Sequence, residues 1–280
     1  MKTNITYLIL VVITTICISC ESHNQPELQY GFSISETRQV VFSPGNLQYC
    51  PKTDLWRFAP NQYDYIGEGN NYIGQYYEGW IDLFGWGTGD NPTLHTIDTQ
   101  DYATFTDWGS NSIGKDPQNT WRTLTNDEWN YLLFLRPNAC AYYTVAQVNG
   151  TNGLILLPDN WTAPKDIVIA SGMNTYVPGD DLYAAYQTFT VSEWKKLEKN
   201  GAIFLPAAGS RYTADFYGTE INTSYFQEVG QYWTSTKYFV PGYDNWESGE
   251  SYYLRFYSGG LYTRGHYNVY GFSVRLAKDI

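Results

Sequence analysis

Apolar and polar positions alternate along this chain only in short runs, and the runs are rich in aromatic residues. Residues 38–42 form one run, closed by the turn pair Pro44-Gly45, and residues 47–49 and 55–58 continue in the same way. All three predict short strands. From 61 to 119 the pattern dissolves into Gly, Asn, Asp, Tyr and Trp. A stretch of that length without periodicity predicts a functional or aromatic-pinned loop region, with Trp80 and Trp86 as anchors. Two helices are then signalled by the repeated pattern T-x-x-E-W, at Thr125, Glu128 and Trp129 and again at Thr190, Glu193 and Trp194. A hydroxyl followed three residues later by a carboxylate is a capping box, in which each side chain satisfies a backbone N–H left open by the first turn. Helices are predicted over 125–135 and 190–199, the second ended by Gly201. Each leads into an apolar run that closes on proline, 153–158 and 201–206. Two such units are too few for a solenoid and read as two halves of one domain. In the last fifty residues, 232–236, 252–256 and 270–276 predict strands, separated by polar, Tyr-rich loops at 238–251 and 257–269. The expected class is α+β, with an antiparallel sheet, two helices and long aromatic-rich loops.

The first residues follow a different rule. Lys2 precedes an apolar run that reaches Ile18, too short for the roughly 20 residues that span a bilayer. It fits the apolar region of a secretory signal. Ser19-Cys20 closes the run and resembles a bacterial lipobox, with Cys17 where Leu is usual. Cleavage before Cys20 frees its amine and thiol for acylation, and acyl chains hold a protein to a membrane at about 0.8 kcal/mol per buried CH2. The expected organisation is a signal peptide over 1–19, a polar tether over 20–29 and a single domain over 30–280 with a β-rich N-terminal extension. The expected location is the outer membrane, lipid-anchored and facing the cell surface.

Charge narrows the partners. The chain carries 17 basic and 28 acidic residues, a formal net charge of −11. That balance argues against nucleic acid, whose phosphates need Lys and Arg, and against docking on anionic headgroups. With 27 Tyr and 10 Trp, it has instead the makings of an amphipathic contact surface. Cys50 and Cys140 lie beyond the leader and are open to pairing, which spacing alone does not decide. No Cys/His set has zinc spacing, and Gly85-x-Gly87-x-Gly89 lacks the strand-then-helix setting of a nucleotide loop. Asp180-Asp181 and the Glu247/Glu250 pair read as solvated turn residues.

Four segments occur in an order that resembles a family. They are Trp121-Arg122 with Glu128-Trp129, the stretch 205–211 ending in Arg211, the stretch 230–236 around Trp233, and Gly271-Phe-Ser-Val-Arg275. Together they resemble the C-type-lectin-like fold of the formylglycine-generating-enzyme type, found in surface lipoproteins of gut Bacteroidales. The resemblance covers roughly 120–280 and implies that these segments are framework. Glu128 then caps a helix, Trp129 and Trp233 enter the core, and Arg122, Arg211 and Arg275 form charge-assisted bonds with carboxylates.

Function follows from sites, not folds, and three readings stand. The oxidase of this family uses a C-terminal cysteine pair and copper; this chain has no cysteine after Cys140, so no catalytic residue, cofactor or metal is expected. An adhesive or pilus-associated protein needs an exposed sheet edge. Non-catalytic recognition of a glycan or protein ligand fits best, through Tyr238, Tyr243, Asn245, Trp246, Tyr257, Tyr262, His266, Tyr267 and Asn268 in the C-terminal loops. Their composition also resembles the variable tails of proteins diversified by retroelements, with Asp244, Ser258 and Tyr270 in the same set.

Overall fold

The structure is a computed structural model that describes residues 30–170, 187–213, 221–239, 249–257 and 260–280. Its strands and helices, in chain order, are β1 (Phe32–Ser33), β2 (Gln39–Phe42), β3 (Leu47–Cys50), β4 (Leu55–Phe58), β5 (Arg122–Thr123), α1 (Asn126–Asn130), β6 (Tyr143–Val148), β7 (Thr151–Leu156), β8 (Gln187–Phe189), α2 (Val191–Lys199), β9 (Ile203–Pro206), β10 (Ser210–Thr213), β11 (Ile221–Ser224), β12 (Val229–Lys237), β13 (Glu250–Tyr257), β14 (Gly260–Tyr267) and β15 (Leu276–Asp279). The architecture is α+β and mostly sheet, with several antiparallel sheets and few helices. Residues 1–29, with the expected signal peptide and Cys20, lie outside the described residues.

Both helices begin as the capping boxes predict. Thr125 accepts from the Glu128 N–H while Glu128 accepts from the Thr125 N–H, and Thr190 and Glu193 repeat the exchange. The first helix has the expected extent but changes its winding midway. After Asn130 the ladder widens into a π-turn over Tyr131–Leu135, closed by the Arg136 N–H on the Tyr131 carbonyl at 2.8 Å. Pro137 then forces Arg136 into extended backbone, which ends the helix. Trp129, Leu132 and Leu133 nonetheless bury one face, each burial contributing about 2–3 kcal/mol. Glu128 has a second role. Arg122 holds it bidentately at 2.8 and 2.9 Å and grips Asp279 of β15 at 2.8 Å, while Arg38 contacts both carboxylates. This cluster ties α1 to the sheet β1-β2-β15-β5, where the last strand lies between two early ones.

The two apolar runs that follow the helices become neighbours. β7 and β9 pair antiparallel from Gly153↔Pro206 to Leu156↔Ile203, within a sheet of order β8-β6-β7-β9. β6 and the parallel edge strand β8 are elements that the sequence pattern does not anticipate. The long segment from 61 to 119 is pinned by its aromatics: Trp108 is fully buried, and the Trp86 indole N–H donates to the Thr234 carbonyl at 2.9 Å. Trp80 lies beneath the Arg57 guanidinium, 3.7 Å from the ring centre. Among the described residues no helix is long and apolar enough to cross a membrane.

The C-terminal region departs from expectation twice. Residues 260–267, expected as a loop, form β14 and pair with β13 along its whole length. Residues 270–275, expected as part of a strand, make only single bridges, to Arg211, Phe84 and Tyr232 in turn. The three-stranded sheet β12-β13-β14 has cores on both sides. Tyr232, Leu254 and Phe256 enter one, and Trp233 and Tyr253 enter the other.

Candidate ligand-binding pocket

A cavity of about 410 Å³ opens where the β10–β11 hairpin meets the sheet β12-β13-β14. Ser210, Tyr212, Ser224 and Tyr225 line it from the hairpin side, Gln231, Arg255 and His266 from the sheet, and Tyr270 from the segment that follows β14. Strand alternation explains this convergence. Gln231 pairs with Arg255, Arg255 with Tyr262, and Ser251 with His266. Those residues therefore share one face of the sheet. In the hairpin Ser210 pairs with Ser224, placing both hydroxyls on one side with Tyr212.

Rings build the walls. Tyr212 and Tyr270 stack at 6.3 Å with 25° between planes, and Tyr270 meets His266 edge-on at 4.3 Å. Tyr225 has a φ of +63°, and Gln227, in the same turn, +65°. Left-handed backbone is a strained state for an aromatic residue, of a kind that gathers at functional sites. Gly209, with φ +69°, immediately precedes β10, and any Cβ there would strike the Ser224 carbonyl at 2.1 Å.

Three of the lining residues present buried polar atoms with no hydrogen-bond partner: Ser224 Oγ, Arg255 Nε and His266 Nδ1. Each such atom costs about 1–3 kcal/mol when left unsatisfied. Their sum is comparable to a sizeable part of a domain's net stability of roughly 5–15 kcal/mol. Burial pushes the His266 imidazole down to about 4, helped by Arg264 and Arg255 and opposed by the Tyr267 backbone. The ring is therefore neutral at physiological pH. Among the described residues that line the cavity, none is acidic.

The residues expected from sequence divide sharply. His266 lines the cavity, and Tyr257 and Tyr262 lie on the same face of the sheet, their rings 6.3 Å apart. The register puts Tyr267 on the opposite face, where Tyr238 also packs edge-on against Tyr252 at 4.8 Å. Asn268 is fully buried outside the cavity lining, its amide donating to the Tyr102 carbonyl at 3.3 Å. Tyr243, Asn245 and Trp246 lie outside the described residues, as do Asp244, Ser258, Glu247 and Asp180-Asp181. Trp86 is buried as a pin, away from the cavity lining. Ser210, Tyr212, Ser224, Tyr225, Gln231 and Arg255 were missed; alternation in 210–213 marks Ser210 and Tyr212 as one-sided, but nothing local tells which side faces a cavity.

The framework arginines also divide. Arg122 has its two carboxylates. Arg275 instead donates to the amide oxygen of Gln62 at 2.5 Å, and Arg211 to the Leu83 carbonyl at 3.3 Å, with both terminal nitrogens of Arg211 unpartnered. Burial pulls both guanidinium groups down to about 10. Cys50 is buried, Cys140 exposed, and both are free thiols. Among the described residues no group of three or more His, Cys, Asp and Glu is placed to hold a metal ion. A scan of protein-family models, a search of curated proteins and a search of solved structures each returned no match to this chain.

Proposed function

We propose that this chain is a lipid-anchored surface protein of the outer membrane whose work is non-catalytic ligand recognition, and that its fold is the C-type-lectin-like one its framework segments resemble. The observation that carries this reading is one tyrosine-walled cavity of about 410 Å³, three of whose lining residues also carry a buried polar atom without a partner. Rigid aromatic area combined with small hydroxyl and amide groups is the chemistry of adaptable binding surfaces. Concave pockets of 300–1,000 Å³ are the usual size for small ligands.

Ser224 and His266 in one cavity invite a hydrolase reading as well. Two facts weigh against it. Neither Ser224 Oγ nor His266 Nδ1 has a hydrogen-bond partner, so the two do not form a nucleophile–base pair. An imidazole held near 4 is also a weak general base at neutral pH. The adhesive reading rests on β14, an edge strand, but exposed Arg264 and the mid-strand Gly265 are features that blunt an edge against strand addition.

The test uses the full-length protein, purified in detergent, on an array of cell-surface glycans and proteins. A Ser224→Trp variant, which fills the cavity, is run beside it. The expected result is a set of ligands whose signal falls at least tenfold in the variant while its melting temperature is kept. Equal signals from both proteins, or no ligand for either, would contradict the reading.

A further inference from the structure

We infer that the cavity selects a carboxylate-bearing sugar, a uronic or sialic acid residue at a glycan end, with Arg255 receiving the carboxylate. The inference rests on the recognition reading above and goes one step further, to ligand class.

Charge is the first argument. The whole chain is acidic at −11, yet the cavity floor carries a guanidinium and none of its described lining residues is acidic. Arg255 forms no ion pair with any described carboxylate, and its Nε is buried without a partner. Arg264 stands diagonally across on the same face, since Tyr253 pairs with Arg264 and Arg255 with Tyr262. A planar guanidinium matches a carboxylate in shape and charge.

The rest of the lining chooses the body of the ligand. Ser210 and Ser224 hydroxyls, the Gln231 amide and the neutral His266 ring offer both donors and acceptors from several directions. Ser210 and Gln231 are themselves more than nine-tenths buried, which fixes their positions. A ring that carries hydroxyls around its edge and C–H groups on its faces satisfies such groups while its faces lie against Tyr212, Tyr225 and Tyr270. A peptide carboxylate would supply the anion but not the edge of hydroxyls. The cavity volume of about 410 Å³ has room for one or two sugar rings.

Calorimetric titration tests this with galacturonic acid, glucuronic acid and N-acetylneuraminic acid, against galactose, glucose and the peptide acid N-acetyl-Gly-Tyr. The full-length protein in detergent is compared with Arg255→Gln and Arg255→Lys. The inference predicts at least one acidic sugar bound tenfold or more tightly than its neutral counterpart. Arg255→Gln should abolish that preference, and Arg255→Lys should restore part of it. Equal binding of neutral and acidic sugars, or an unchanged preference in Arg255→Gln, overturns the carboxylate assignment. Equal or tighter binding of the peptide acid overturns the sugar assignment. Binding of none of the six probes at 20 mM overturns the inference as a whole. The recognition reading stands apart from each of these results, because it is decided by the array signals and by Ser224→Trp.

Discussion

At the residue scale, His266 is the group whose chemistry the fold changes most within the cavity. Its imidazole is pushed from its ordinary 6.5 to about 4, so the unfolded chain takes up a proton first as pH falls. The stability it contributes is complete above pH 6.5 and is lost as pH falls from 6.5 towards 4. Asp82 acts in the opposite sense. Burial raises its carboxyl to about 6, against hydrogen bonds from Asn70 and the Ile66 N–H, so the folded state gains stability as pH falls through the same window. A melting curve of the wild type mixes the two. The difference between wild type and His266→Gln isolates one: the variant is expected to lose less stability than wild type between pH 7 and pH 4.5. An identical loss in both would show that His266 is not held neutral. Asp159 shows the competition resolved the other way. Burial alone would raise its carboxyl, but hydrogen bonds from Ser33, Arg136 and Gln39 outweigh it and hold it below the usual carboxylate range.

At the scale of elements, the turn between β11 and β12 connects stability to binding. Tyr225 is exposed, left-handed and part of the cavity lining. Left-handed backbone costs an L-residue about 1–2 kcal/mol, while glycine gives back roughly 0.5–1 kcal/mol through its looser unfolded chain. Tyr225→Gly is therefore expected to keep or raise stability, by up to about 1 kcal/mol in chemical denaturation, and to weaken array ligands several-fold. A marked loss of stability would mean that the ring packs as structure. The same scale shows what the sequence reveals and what it hides. Both capping boxes and the strands around 39–42, 47–50 and 55–58 were legible because each signal is local. β14 was not, because its residues are half-buried along both faces and Gly265 interrupts it, so no period of two survives. The error at 270–275 is the converse. Phe272 and Val274 alternate with polar residues as a strand would, yet Ser273 and Arg275 are buried too, and the segment threads between three partners instead of joining one ladder. Local pattern gave the extent of the first helix, to Leu135, but not its change to a π-turn after Asn130, beyond which Arg136 reaches Asp159 at 2.7 Å.

For the whole molecule, the cavity exists only through long-range assembly. Its lining comes from the hairpin, from all three strands of the C-terminal sheet and from the segment after it. Tyr-rich composition pointed to the C-terminal fifty residues, and that region does supply Arg255, His266 and Tyr270. It gave no means of separating Tyr262 from Tyr267, which register sends to opposite faces. The Arg122, Glu128, Asp279 and Arg38 cluster fixes the ends of the described chain together, so the cavity rests on a closed frame. The central claim is that ligand enters this cavity. The most direct measurement is nuclear magnetic resonance of the imidazole groups as an array-selected ligand is titrated into the full-length protein. The account predicts that the His266 resonances shift in proportion to occupancy while those of His95, outside the cavity lining, stay in place. Saturated binding with His266 unmoved would contradict it and place recognition elsewhere on the molecule.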